Sequence, residues 1–278
     1  YRTNMSYKKN NEEIRLITQG GKIMGEILEK LAAMVRPGIS AWEIDQAAER
    51  LIKEAGGRPA FKGYSLKGVP PFPSTICACV NDELVHGFAT REKILCDGDI
   101  FSIDIGMQYP LERNQKSVIG NQKSSGLFTD TAITVAVGEI PEKTKQLINV
   151  TRMALEVGIE QCRVGNSIAD IGRAIQKYVE PQGYGIVRDL IGHGVGHAVH
   201  EDPPVPNYYS KDLENWKLEP GVVIAIEPMI TMGDYHVKTD DDRWTVRTED
   251  GGLCAHFEHT VVITEGEPVV VTRRPSEN

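Results

Sequence analysis

The sequence predicts a duplicated α/β fold, and three observations lead there. Helical and strand-like patterns alternate along the chain, the order helix, helix, strands occurs twice, and the two occurrences match in detail. Arg36 falls on Arg163, Gly38 on Gly165, Ser40 on Ser167, Ile44 on Ile171 and Gly56 on Gly183, every pair 127 positions apart. Two such copies imply a pseudo-two-fold axis, with pseudo-repeats over residues 12–140 and 141–273. Sites commonly form where two halves meet.

Taken in order, residues 1–11 are polar and expected to be flexible, with Met5 as the natural start and Tyr1–Asn4 a foreign leader. Residues 12–34 place Ile14, Ile17, Ile23, Ile27, Leu31 and Met34 at helical spacing, ending at Arg36-Pro37-Gly38. Ser40…Glu43 is a capping box opening a second helix, which stops at Gly56-Gly57. A Gly-, Pro- and aromatic-rich loop covers residues 58–75, followed by strands at Thr75–Val80, Ile100–Met107 and Thr131–Val137. Helices over Thr144–Gln161 and from Ser167…Asp170 to Val179 then repeat the opening. Strands follow at Ile186–Ile191, Gly221–Ile226 and Phe257–Thr264, and Met232–Thr239 is a connection turning at Gly233-Asp234. Tyr109–Thr129 interrupts the repeat as a long polar excursion, an insert between two strands.

Composition narrows the function. A chain of 278 residues with 40% hydrophobic residues can bury a large core, and residues 12–278 read as one catalytic domain. A net charge of −8 with no long basic block argues against a nucleic-acid partner. No apolar run is long enough for a membrane span. The five cysteines form no CxxC pair, which suits free thiols in a reducing compartment and a cytoplasmic protein.

Chemistry concentrates in Gly192–Pro204, where His193, His197 and His200 fall within eight residues among three glycines. Asp104, Asp130, Glu227 and Glu258 each lie inside an apolar strand-like run, where a carboxylate is costly unless a cation meets it. Any one of them alone is an ordinary strand-end charge. Together with the histidines they describe a metal site drawn from both halves. Four carboxylates and one imidazole balance two divalent cations, and Mn, Fe, Co or Zn accept such mixed ligation. Two cations ~3.5 Å apart can hold a bridging hydroxide and polarise a carbonyl, which is what amide hydrolysis requires.

Several motifs now carry a resemblance: Ile76-Cys77, Val80-Asn81, Val85-His86-Gly87, Ser102-Ile103-Asp104, Thr129-Asp130-Thr131, Gly192–Pro203, Ile226-Glu227-Pro228-Met229, Trp244-Thr245-Val246 and Glu258-His259-Thr260. Over residues 12–273 the chain resembles the bacterial type I methionine aminopeptidases, metallopeptidases of the pita-bread fold, in which duplicated halves surround a central antiparallel sheet. The resemblance implies removal of initiator methionine from nascent proteins, with a preference for a small second residue. By it, Asp104 chelates one metal, Asp130 and Glu258 bridge, and His193 and Glu227 complete the other. Glu227 serves as general base for the metal-activated water, His200 bonds the scissile amide and His86 orients the substrate or shuttles a proton. Tyr64, Phe72, Cys77, Val199 and Trp244 line the methionine pocket by the same reading, although physics alone would assign Phe72, Cys77 and Trp244 to ordinary core. Val199 stands where relatives often carry an aromatic, so a wider pocket is expected.

The remaining histidines have plainer expectations. His197 reaches the substrate rim or the surface, His236 is exposed, His256 shares a strand face with Glu258 and His259 points away from it. The 25 residues between Asp104 and Asp130 exceed the short hairpin common among relatives. Tyr109–Thr129 is therefore expected to border the mouth of the site and tune access of longer chains. Rivals on the same fold are a proline-specific peptidase, which normally brings a large N-terminal domain, and a binding protein, which usually loses metal ligands. Only 26 residues separate His200 from Glu227, leaving no room for a type II helical insertion. The expected partners are nascent polypeptide N-termini and, transiently, the ribosome. The expected state is a monomer.

Overall fold

Among the described residues there are four α-helices, three of them opened by a capping box. In the computed structural model, which describes residues 7–111, 118–119, 122–123 and 126–277, α1 spans Asn11–Met34 and α2 spans Ala41–Glu54. Asn10 accepts the Glu12 and Glu13 N–H groups at 3.0 Å, and the Glu13 carboxylate answers the Asn10 N–H at 2.8 Å. Ser40 and Glu43 close the same reciprocal box on α2. In the second half α3 covers Glu142–Ile159 and α4 covers Ile168–Val179. The Ser167 N–H and hydroxyl both donate to Asp170 Oδ2 at 2.8 Å.

The matched glycines share a backbone state. Gly38 and Gly165 have φ of +85° and +95°, while Gly56 and Gly183 have +85° and +81°. All four are left-handed positions that glycine occupies without steric cost.

Behind the helices lies a nine-stranded sheet in which every pairing is antiparallel. Its path runs Arg58–Pro59, Ile100–Tyr109, Leu127–Ala136, Glu258–Val262, Val223–Ile226, Gly192–Gly194, Glu201–Val205. Ile76–Val80 adds to Ile100–Tyr109, and Val269–Val270 adds to Glu258–Val262. Two apolar cores flank the sheet, one per helix pair. Leu28, Ile44, Phe101 and Ile103 belong to the first, and Leu147, Ile171, Ile224 and Ile226 to the second. Each is fully buried, and each such side chain contributes about 1.5–3 kcal/mol. Among the described residues no helix is long and apolar enough to cross a membrane.

Three expectations need correcting. Of the strand read at Ile186–Ile191, only Ile186 lies in a ladder, opposite Ile230 and next to the Gly185–Thr231 pair, and the Val187 N–H donates to the Met229 carbonyl at 3.1 Å. From there the chain leaves a small three-stranded sheet for the large one and resumes pairing at Gly192, and Asp189, Leu190 and Ile191 line a cavity on the way. The excursion read from Tyr109 to Thr129 begins and ends inside strands, because the hairpin stays paired out to Tyr109↔Leu127. Within it Val118–Ile119 pairs with Gln122–Lys123, and residues 112–117, 120–121 and 124–125 lie outside the described residues. At the N-terminus, residues 1–6 also lie outside them, but the expected flexibility does not extend to residue 11. Lys8 bridges Val222, the Lys9 N–H donates to the Gly221 carbonyl at 2.7 Å, and the Lys9 side chain is buried against Glu201.

Candidate metal centre

Strand register collects the acidic residues on one face. Cys77 pairs with Asp104, Asp104 with Ala132, and Ala132 with Glu258, a row across four strands. Asp130 sits two residues from Ala132, so its side chain points the same way. His193 pairs with Ala225, which pairs with Thr260, two residues beyond Glu258. Glu227 follows Ala225 by two and completes the same face. The small Ala132 at the centre of the row leaves the space among these groups open.

The donor atoms converge. Those of Asp104, Asp130 and Glu258 lie within 4.8 Å of one another, as do those of His193, Glu227 and Glu258, and those of Asp130, His193 and His200. His193 Nε2 is 3.6 Å from Glu227 Oε1, and His256 Nε2 is 3.4 Å from Glu227 Oε2. Asp104 Oδ1 and Glu258 Oε1 are buried with no hydrogen-bond partner among the described residues. Unanswered buried carboxylate oxygens are expensive, and they fit a divalent cation.

The electrostatics agree. Burial, reinforced by the neighbouring carboxylates, pushes Asp130 and Glu258 well above the usual range, and burial lifts Asp104 to about 6. Burial would raise Glu227 as well, but His256, His193 and His200 outweigh it and hold Glu227 below its ordinary value. Divalent cations and protons therefore compete for this cluster. An oxygen-rich set with one or two imidazoles suits borderline ions of the Mn-to-Zn series.

Around the carboxylates is a cavity of about 360 Å³. Tyr64, Phe72, Cys77, His86, His200 and Trp244 all line it. Trp244 packs edge-on against Phe72 at 5.3 Å between ring centres and donates its Nε1–H to the Pro70 carbonyl at 2.8 Å. Val199 belongs to the apolar cluster behind this wall, with Phe72, Cys77 and Trp244, and is not among the lining residues. His86 is held at φ +60°, an uncommon conformation for a non-glycine, and burial lowers its pKa. His200 opens onto the cavity mouth. Partial burial and then the nearby His193 still push it down to about 4, its ring centre 4.4 Å from that of His193 and its Nδ1 3.2 Å from the Tyr64 hydroxyl.

Sequence reasoning overlooked Phe61, Leu66, Val85, Leu190, Ile191 and Met229, which also face the cavity. Phe61, Val85 and Met229 neighbour residues already singled out, whereas nothing local marks Leu190 as different from core. Of the other histidines, His197 Nε2 meets Glu13 Oε1 at 2.8 Å. His236 is half-exposed beside Asp234. His256 stands at Glu227, and His259 faces away toward Thr272 and Glu277.

A profile of metallopeptidase family M24 matches residues 15–265. The chain is 42% identical over 264 residues to the methionine aminopeptidase of Clostridium acetobutylicum, covering 95% of this chain and 97% of that one. It is 42% identical over 265 residues to methionine aminopeptidase 1 of Bacillus subtilis, covering 95% and 98%. The crystal structure of methionine aminopeptidase from Thermotoga maritima matches with a TM-score of 0.86 at 36% identity, over 97% of this chain and 100% of that one. The prolidase from Pyrococcus horikoshii shares the fold, with a TM-score of 0.71 at 21% identity over 96% of this chain and 64% of that chain.

Proposed function

The chain belongs to metallopeptidase family M24 and is an aminopeptidase, and on that premise we propose that it removes the N-terminal methionine of nascent proteins and peptides, preferring a small second residue. The observation that carries this reading is one sheet face bearing Asp104, Asp130, His193, Glu227 and Glu258 at a cavity walled by Tyr64, Phe72, Cys77 and Trp244. Aromatic faces and a thiol suit a thin, polarizable thioether chain. Those five residues would hold two divalent cations of the Mn, Fe, Co or Zn type. When bound, such ions polarise a carbonyl and lower the pKa of water.

The chain's own groups divide the remaining work. Glu227, kept ionised by its histidines, accepts the proton of the attacking water on a carboxylate oxygen and returns it to the leaving amine. His200 is neutral at pH 7. With the Tyr64 hydroxyl donating to Nδ1, its proton resides on Nε2, free to donate to the developing oxyanion of the scissile amide. His86, also neutral, orients the substrate from the Trp244 side, its ring centre 6.0 Å from the indole. Asp104 receives the free α-amine, which restricts cleavage to the first residue. Free cysteines suit the cytoplasm, where nascent chains emerge and the ribosome is a transient partner, and a monomer suffices for the site.

The test is cleavage of Met-Ala-Ser against Ala-Pro peptides after chelation and re-addition of Mn, Co, Fe or Zn. Methionine release that returns only with metal is the expected result. Cleavage before proline, or none with metal bound, would overturn the assignment.

A further inference from the structure

Outside the metal centre, the turn that leads into His200 is held by groups to which the reaction assigns no task. Lys9, just ahead of α1, is 5% exposed. Its ammonium pairs with the Glu201 carboxylate and donates to the Tyr7 carbonyl at 2.9 Å. The same carboxylate accepts the backbone N–H groups of His197 at 3.2 Å and Ala198 at 3.1 Å, folding residues 197–201 into one closed turn. Glu13, on the first turn of α1, meets the His197 ring at 2.8 Å. Gly196 opens this turn at φ +137°, and a Cβ there would come within 2.5 Å of Lys9 Cε. The lysine stem therefore fills the place of a side chain beneath the turn.

A buried ammonium is retained only against good partners, and burial does lower the Lys9 pKa. What this pair holds still is the residue next to Glu201, namely His200. We propose that Lys9, through Glu201, is a positioning residue for His200: the N-terminal strap fixes the turn that aims the imidazole at the scissile amide. The inference rests on the role given to His200 above. With the Lys9 charge removed, Glu201 loses its buried counter-ion, the closed turn loosens, and Nε2 no longer waits where the oxyanion forms. A displacement of about 1 Å at a reacting group can cost on the order of a hundredfold in rate.

The test is a double-mutant cycle on the metal-loaded full chain, with kcat and KM on Met-Ala-Ser, metal content and thermal unfolding measured for K9M, H200A and K9M/H200A. K9M is expected to lower kcat roughly tenfold to a hundredfold with KM and metal content little changed, and to have no further effect once His200 is gone. Equal kcat losses from K9M in both backgrounds would overturn the inference while leaving the role of His200 intact, as would an unchanged kcat in K9M. Full activity in H200A would overturn the role of His200 and the inference with it. If K9M fails to fold, E201Q, whose side-chain oxygen can still accept from the turn, replaces it in the same cycle with the same expected non-additivity.

Discussion

Asp104 and Asp130 come from a single hairpin of ten ladder pairs in the first half of the chain, whereas the second half delivers His193, Glu227 and Glu258 from three separate strands or strand ends. The halves nevertheless begin alike, with a helix pair whose second member opens on a Ser-led capping box, and with matched left-handed glycines. The difference shows what duplication supplies and what it leaves to be added. It supplies the frame, two helix pairs over one sheet, and the chemistry then enters asymmetrically. Two carboxylates on one rigid hairpin arise on the first side, and two carboxylates with a histidine from a glycine-rich turn on the second. The aromatic wall with Tyr64 and Phe72 belongs to the first half and the indole of Trp244 to the second, so neither half holds a complete pocket.

The most severe way to break this division is to strike the hairpin. Asp130→Ala is expected to reduce bound metal and to cost on the order of a thousandfold or more in kcat/KM, several kcal/mol of charge stabilisation. Metal titration and peptide kinetics check it, and near-normal metal binding would show that the site does without Asp130. Next in size, Glu227→Gln should lower kcat by about a hundredfold to a thousandfold with the unfolding temperature retained. Undiminished turnover would remove Glu227 from its role as base.

A smaller effect concerns the far side of the Glu258 strand, where His259 and Arg274 meet Glu277. Burial alone would raise the Glu277 carboxyl, but its contacts with His259 and then Arg274 take it down to about 2. Burial also lowers the His259 pKa, so near neutrality its contact is a hydrogen bond, and Arg274 provides the positive charge. A depressed carboxyl stabilises the folded chain above its unfolded pKa near 4.5, and that stability is lost as pH falls from there toward about 2. Glu277→Gln should therefore cost about 1–2 kcal/mol at pH 7 in urea unfolding, with the gap to the parent narrowing below pH 4.5. A gap independent of pH would assign the contact to packing.

The gentlest comparison sets one cap against the other. Ser40→Ala and Ser167→Ala should each cost about 1 kcal/mol, and clearly unequal losses would show that the paired helices no longer carry equal weight.

Much of the frame was legible because its signals are local. The apolar spacing in α1, the Ser40…Glu43 box and the stops at Gly56 and Gly183 fall within one or two turns of what they control. The five residues that meet on the sheet face were legible as four carboxylates out of place in apolar runs and a histidine in a glycine-rich stretch. What escaped was set at long range. Leu190 and Met229 meet the cavity only because the chain crosses between two sheets there, and Ile186–Ile191 has strand-like composition without a backbone partner beyond the Val187 N–H bond to the Met229 carbonyl. The anchoring of Lys9 was hidden in the same way, since its partner Glu201 is 192 positions distant. A lysine in a polar leader gives no hint that it will be buried.

The hairpin that carries Asp104 and Asp130 has one more consequence. From Asp104 to the last pair at Tyr109↔Leu127 the ladder continues for five more residues, a lever of about 17 Å at the usual rise per residue. Length added or removed beyond that pair leaves the register of the two aspartates to the ladder, not to the tip. Such a tip is raw material for evolution and for engineering alike. Segments grafted there, removed or replaced by a reporter are expected to leave the spacing of Asp104 and Asp130 unchanged.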